Sequence, residues 1–201
     1  NLLGAEQSGF IANIGFETYQ KILNEAIAEL RAEGLDVAGL SSEEQTVVEA
    51  KGYVEDVSLE LDVEAELPEA YVRQQAERLK LYRKIDSMSD EAELTKFESE
   101  LEDRFGKMPQ QTKELMNAVR LRWEAMRLGM ERVKVKNGLM IVRFVGDDNS
   151  PYYRSEVFME LLRKITAQPD RFVLKQKDGK LAMTIRRVDD VATAVEVLET
   201  L

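Results

Sequence analysis

The stretch from Asp90 to Pro109, DEAELTKFESELEDRFGKMP, decides how the chain is read, because hydrophobic period, charge and stop signals coincide in it. Leu94, Phe97, Leu101 and Phe105 recur at spacings of three and four, which places them on one stripe of a helix and turns that stripe toward a core. At about 100° per residue, Glu93, Glu100 and Asp103 project from the flank and back of the same helix, with Lys96 the only basic residue among them. Ser89 stands where a cap would sit, Asp90 and Glu91 suit the positive end of the helix dipole, and Gly106 followed by Pro109 ends the helix. An acidic face held from behind by a packed stripe asks for a basic counterpart.

Upstream of that helix, Pro68 suits the first position of another that runs to about Met88, with Val72, Ala76, Leu79, Tyr82 and Ile85 as its inner face. Arg73, Arg78, Lys80, Arg83 and Lys84 make it basic, so the pair is expected to form an antiparallel hairpin with complementary flanks. Before it, Val57, Leu59, Leu61, Val63 and Ala65 alternate with polar residues, the pattern of a strand with one wet face. Downstream, a third helix begins near Pro109 and carries Leu115, Met116, Val119, Trp123 and Met126 to a stop at Gly129.

The last third changes character. Hairpins are expected over 132–145 and 171–186, around Asn137-Gly138 and Asp178-Gly179, because both dipeptides suit the two-residue turn whose backbone needs positive φ. Phe158, Leu161, Leu162 and Ile165 mark a helix between them, and Val191, Val195 and Leu198 mark one after them. The class is α+β, with helices packed on a small, largely antiparallel sheet.

The first 56 residues stand apart from this arrangement. Gly4, Gly9 and Gly15 flank Gln7 and Ser8 in a loop-like stretch, after which Phe16, Tyr19, Leu23, Ile27 and Leu30 form an amphipathic helical stripe ending before Gly34. Residues 34–56 are rich in Glu, Ser and Gly and read as a solvated linker. The expected organisation is therefore 1–33, loop and helix; 34–56, linker; and 57–201, an α+β domain.

Composition limits the chemistry. The 201 residues contain 38 acidic and 28 basic side chains, a net charge of -10, so the chain as a whole should repel nucleic acid and anionic membranes. It has no cysteine and no histidine, which removes zinc-thiolate sites, thiol nucleophiles, disulfides and the serine-histidine triad. No GxxxxGK[ST] and no GxGxxG occurs, so no nucleotide cradle is expected. Asp147-Asp148-Asn149 is the densest oxygen cluster in a loop, but it lacks the ligand order of a calcium loop. No catalytic, cofactor-binding or metal residue is assigned, and the lack of any long apolar run points to a cytoplasmic chain.

NLLGAEQSG (1–9), IGFETYQKILNEAI (14–27), LPEAYV (67–72), RLKLYRKI (78–85) and ELEDRFGKMP (100–109) together resemble the C-terminal region of the bacterial transcription-repair coupling factor family, RecG-related translocases. The resemblance implies a segment of a multidomain, DNA-dependent ATPase. Such a protein uses ATP and Mg in its motor domains, moves on duplex DNA, displaces stalled RNA polymerase and recruits UvrA through an N-terminal UvrB-like module. It implies further that Gln7 and Gly9 close the translocation motif, that 15–30 form a helix hooking over the motor, and that the rest covers the UvrA-binding face of the UvrB-like module. Glu100 and Asp103 fall where the family's acidic ELxDRFG helix makes that contact. An acidic module contacting a separate protein, such as polymerase or a repair partner, is the alternative, and a carboxylate enzyme using a divalent ion is a third.

Overall fold

The computed structural model describes residues 53–201. The expected translocation-motif residues Gln7 and Gly9, the hook helix and residues 34–52 of the linker lie outside the described residues. The elements run β1 (Ser58–Leu61), α1 (Gln75–Ser87), α2 (Glu91–Phe105), α3 (Gln110–Arg127), β2 (Met130–Lys136), β3 (Leu139–Phe144), a 3-10 turn (Pro151–Arg154), α4 (Glu156–Thr166), β4 (Phe172–Lys177), β5 (Lys180–Arg186) and α5 (Val191–Glu199). The five strands form one sheet in the order β1-β2-β3-β5-β4. The two hairpins join through an antiparallel β3–β5 pairing, and β1 adds to β2 in parallel. Both expected turn dipeptides adopt the left-handed backbone, with φ of 55° and 74° at Asn137 and Gly138 and 54° and 75° at Asp178 and Gly179. The fold class is α+β, as the periodicities predict.

Two apolar cores share α3. The larger lies under the sheet and holds Val133, Val135, Met140, Val142, Phe144, Met183 and Ile185 against Tyr152 and residues of α4 and α5. The smaller is built by α1 and α2 with Leu115, Met116, Ala118 and Val119 from the first half of α3. The second half of α3 contributes Leu121 and Ala125 to the sheet core, so one helix ties the helical layer to the sheet. Its polar flanks reinforce this tie: Arg122 reaches Asp86 in α1 at 3.0 Å and Asp56 ahead of β1 at 2.9 Å.

Three expectations need correction. The last residues of the segment read as linker are packed, with Val54 buried in the sheet core and the Tyr53 ring 5.5 Å from that of Tyr152. Alternation continues through Val63 and Ala65, yet the strand is only four residues long, because its single ladder is with β2 and stops at Leu61–Val135. The helix expected from Pro68 starts instead at Gln75. Pro68 opens a turn whose carbonyl accepts from the amides of Tyr71 and Val72, and the Tyr71 hydroxyl is drawn away to donate to the carbonyl of Gly106 at 2.7 Å. Starting late shifts the phase of α1: Leu81, Tyr82 and Ile85 are buried, Val72 reaches the core from the turn, and Ala76 faces solvent.

Candidate functional site

The orientation of α2 follows from its sequence. Leu94, Phe97 and Leu101 are essentially inaccessible, and each fully buried side chain of this size contributes about 1.5–3 kcal/mol, enough to fix which face looks outward. The helix is capped by Asp90, whose carboxylate accepts from the amide of Glu93 at 2.8 Å. Ser89, the expected cap, lies one residue outside and donates its amide to the Glu93 side chain. Gly106, with φ of 85°, ends the helix, and its amide donates to the carbonyl of Glu102.

The hairpin with α1 forms as the complementary flanks predict. Lys84 donates to Glu100 at 2.7 Å and Arg104 to Glu77 at 2.6 Å, two bridges across the α1–α2 seam in antiparallel order. They close over a shallow groove of about 170 Å³ floored by Leu81, Phe97 and Leu101. Lys84 also sits 5.5 Å from the centre of the Phe97 ring.

These contacts separate the two residues singled out from the sequence. The hydrogen bond from Lys84, then its charge, holds the Glu100 carboxyl below the ordinary carboxylate range, with smaller contributions from the charges of Lys96 and Arg104. Asp103 is exposed and makes no hydrogen bond or ion pair among the described residues. The other acids of α2 are engaged: Glu91 and Glu98 both accept from Arg120 of α3, Glu93 from Ser89, and Glu102 from the amide of Met108. The outer face is therefore less uniformly acidic than the sequence reading indicates, because the packing of α1 brings Lys84 to Glu100, while Arg104 already lies one turn beyond Glu100 in α2 itself. The signal for this was present in the basic run of α1, but the partner of each cation depends on how the two helices pack.

The arrangement offers recognition by charge. Asp147, the head of the densest oxygen cluster, turns its carboxylate back to accept from the amide of Asn149 at 3.0 Å. Among the described residues, no group of three or more acidic side chains is placed to hold a metal ion, and no helix is long and apolar enough to cross a membrane.

Comparison with known proteins agrees with this architecture. Residues 61–155 match the TRCF domain model. A transcription-repair-coupling factor of Rickettsia typhi is 28% identical over all of this chain and 16% of its own length. One from Staphylococcus haemolyticus is 32% identical over 68% of the chain and 10% of its own length. The chain thus spans about a sixth of the length of the curated relatives it matches. A crystal structure of the C-terminal domain of transcription-repair coupling factor covers 72% of this chain and 92% of that one with a TM-score of 0.55 at 17% identity, a likeness of fold.

Proposed function

The chain belongs to the TRCF domain family through residues 61–155, and from that premise we propose that it is the non-catalytic regulatory domain of a transcription-coupled DNA repair translocase. In this reading it covers the UvrA-binding surface of an N-terminal UvrB-like module until stalled RNA polymerase is engaged. Chemistry and movement on duplex DNA, with ATP and Mg, belong to motor domains elsewhere in the parent protein.

The observation that carries the proposal is the state of Asp103, an exposed carboxylate without a partner among the described residues, on a helix whose opposite side is locked into a core. Glu100 lies three residues away on a neighbouring part of the same face, so a basic surface can meet both without distorting the helix. Exposed charge contacts are individually weak and salt-sensitive, which suits an interface that must open during a repair cycle. Because Glu100 already holds Lys84, an incoming cation has to share or displace that bond, whereas Asp103 is available at once.

Titration of this chain against the isolated UvrB-like module tests the proposal. Binding should weaken with salt and should be lost on Glu100→Ala with Asp103→Ala. Binding that ignores the double substitution would remove α2 from the interface. If the chain instead bound core RNA polymerase through these residues and not the module, an acidic module acting on a separate protein would be the better description.

A further inference from the structure

The register of the sheet arranges the face opposite its core, which no helix among the described residues covers, in three rows. Buried Val133, Val135, Met140, Val142, Met183 and Ile185 alternate with the residues of these rows, which fixes the side on which they project. One row runs Arg132, Arg143, Ala182, Lys175 across β2, β3, β5 and β4. The next runs Lys134, Ile141, Thr184, Val173, and the third Lys136, Leu139, Arg186. Two cationic rows thus flank a row that begins at Lys134 and carries the apolar Ile141 and Val173 on either side of Thr184, with Ile141 41% exposed.

A solvated sheet face ordinarily mixes both signs of charge. Here, in a chain of net charge -10, the central strands β2, β3 and β5 carry Arg132, Lys134, Lys136, Arg143 and Arg186 on one face. Among the described residues, the carboxylates that pair with these rows lie at the β1 edge, and Glu131, at the bulge beside Arg132, is taken up by the amide of Gly146. Glu60 lies 3.6 Å from Arg132 and 3.4 Å from Lys134, and Asp62 accepts from the amide of Asn137. Arg143 has no carboxylate partner among the described residues, and it stands directly opposite Arg132 in the ladder. Like charges facing each other across strands are destabilising, so the fold retains a repulsion that a bound anion would relieve.

We propose that this face is a docking surface, carried by elements other than α2, for an acidic protein segment with an apolar middle. The two cationic rows are four residues apart along β2, about 13 Å at the rise of a strand, close to the width of a helix with its side chains. A segment lying on Ile141 and Val173 would therefore place carboxylates on both flanks within reach of the rows. Nucleic acid fits less well. None of the residues in the three rows is aromatic, so bases find no stacking platform, and the charge of the whole chain opposes a long polyanion.

The probe is a synthetic helical peptide with a leucine stripe flanked on both sides by glutamates, titrated into the 201-residue chain and followed residue by residue by NMR. Shifts should concentrate at Lys134, Ile141 and Thr184, and affinity should fall by about tenfold as salt rises from about 50 to about 200 mM. Arg143→Gln with Arg186→Gln should abolish binding while leaving the thermal midpoint close to that of the unsubstituted chain, since the first removes the charge facing Arg132 and the second gives up only an exposed hydrogen bond to the carbonyl of Asp170. Shifts elsewhere, or unchanged binding by the double variant or by a peptide with lysines in place of the glutamates, would overturn the proposal. So would stronger shifts at the same residues from duplex DNA or anionic vesicles, which would assign the face to those partners instead.

Discussion

Gly129 joins α3 to β2, and its replacement by alanine tests how tightly helix and sheet are fastened together. Its φ is 75°, and an added Cβ would lie 2.2 Å from Cε2 and 2.5 Å from Cζ of Tyr152. That ring is fully buried, and its hydroxyl donates to the carbonyl of Leu128 at 2.5 Å, so it cannot retreat without leaving the carbonyl unmet. Three costs combine: left-handed backbone for a residue with a side chain, about 1–2 kcal/mol; overpacking, about 1–3; and a buried carbonyl without its donor, about 1–3. Together they come to about 3–8 kcal/mol, against a total stability of about 5–15 for a domain. Gly179 is the control, because it has the same φ of 75° with no atom within 4 Å of the added Cβ. Gly179→Ala should cost only the backbone strain, about 1–2 kcal/mol. Urea unfolding at neutral pH measures both. Equal losses for the two variants would show that the Tyr152 ring does not hold Gly129 as described.

Tyr82→Phe should lose about 1–3 kcal/mol, because the buried hydroxyl accepts from the amide of Leu67 at 2.8 Å and phenylalanine leaves that amide unsatisfied; an unchanged urea midpoint would contradict this. Asp90→Ala should cost about 1 kcal/mol and Ser89→Ala well under that, and thermal melts showing the reverse order would return the cap to Ser89. The guanidinium of Arg120, chiefly through its hydrogen bond, lowers the Glu91 carboxyl from its ordinary value near 4.5. A depressed carboxyl contributes stability above the unfolded-state value and loses it as pH falls through the folded one, so Arg120→Gln should cost about 1 kcal/mol near pH 7 and little near pH 3. A penalty that does not change with pH would mean that the ion pair is not its source.

Local signals were legible and non-local ones were not. The stripe of α2, the stop at Gly106 and the two left-handed turns depend on residues within a few positions of one another, and each appears where periodicity and turn chemistry place it. The parallel pairing of β1 with β2 joins residues more than seventy positions apart, and nothing in either strand specifies its neighbour. The late start of α1 has the same origin: Pro68 is compatible with a helix, but Tyr71 finds a better partner at the distant end of α2. At the candidate site, the positions of Glu100 and Asp103 on one helical face could be read from spacing. That Glu100 is held by Lys84 and Asp103 is left open depends on the packing of α1 against α2.

The covering of a repair-partner surface by α2 that is proposed above is read out by UvrA binding to the intact parent protein without polymerase at low salt, where charge contacts are screened least. Neither Glu100 nor Asp103 supports a core, so Glu100→Ala with Asp103→Ala should leave the fold unchanged and raise UvrA binding above that of the unsubstituted protein. A correctly folded double variant that binds UvrA no better than the unsubstituted protein would show that Glu100 and Asp103 do not hold that surface closed.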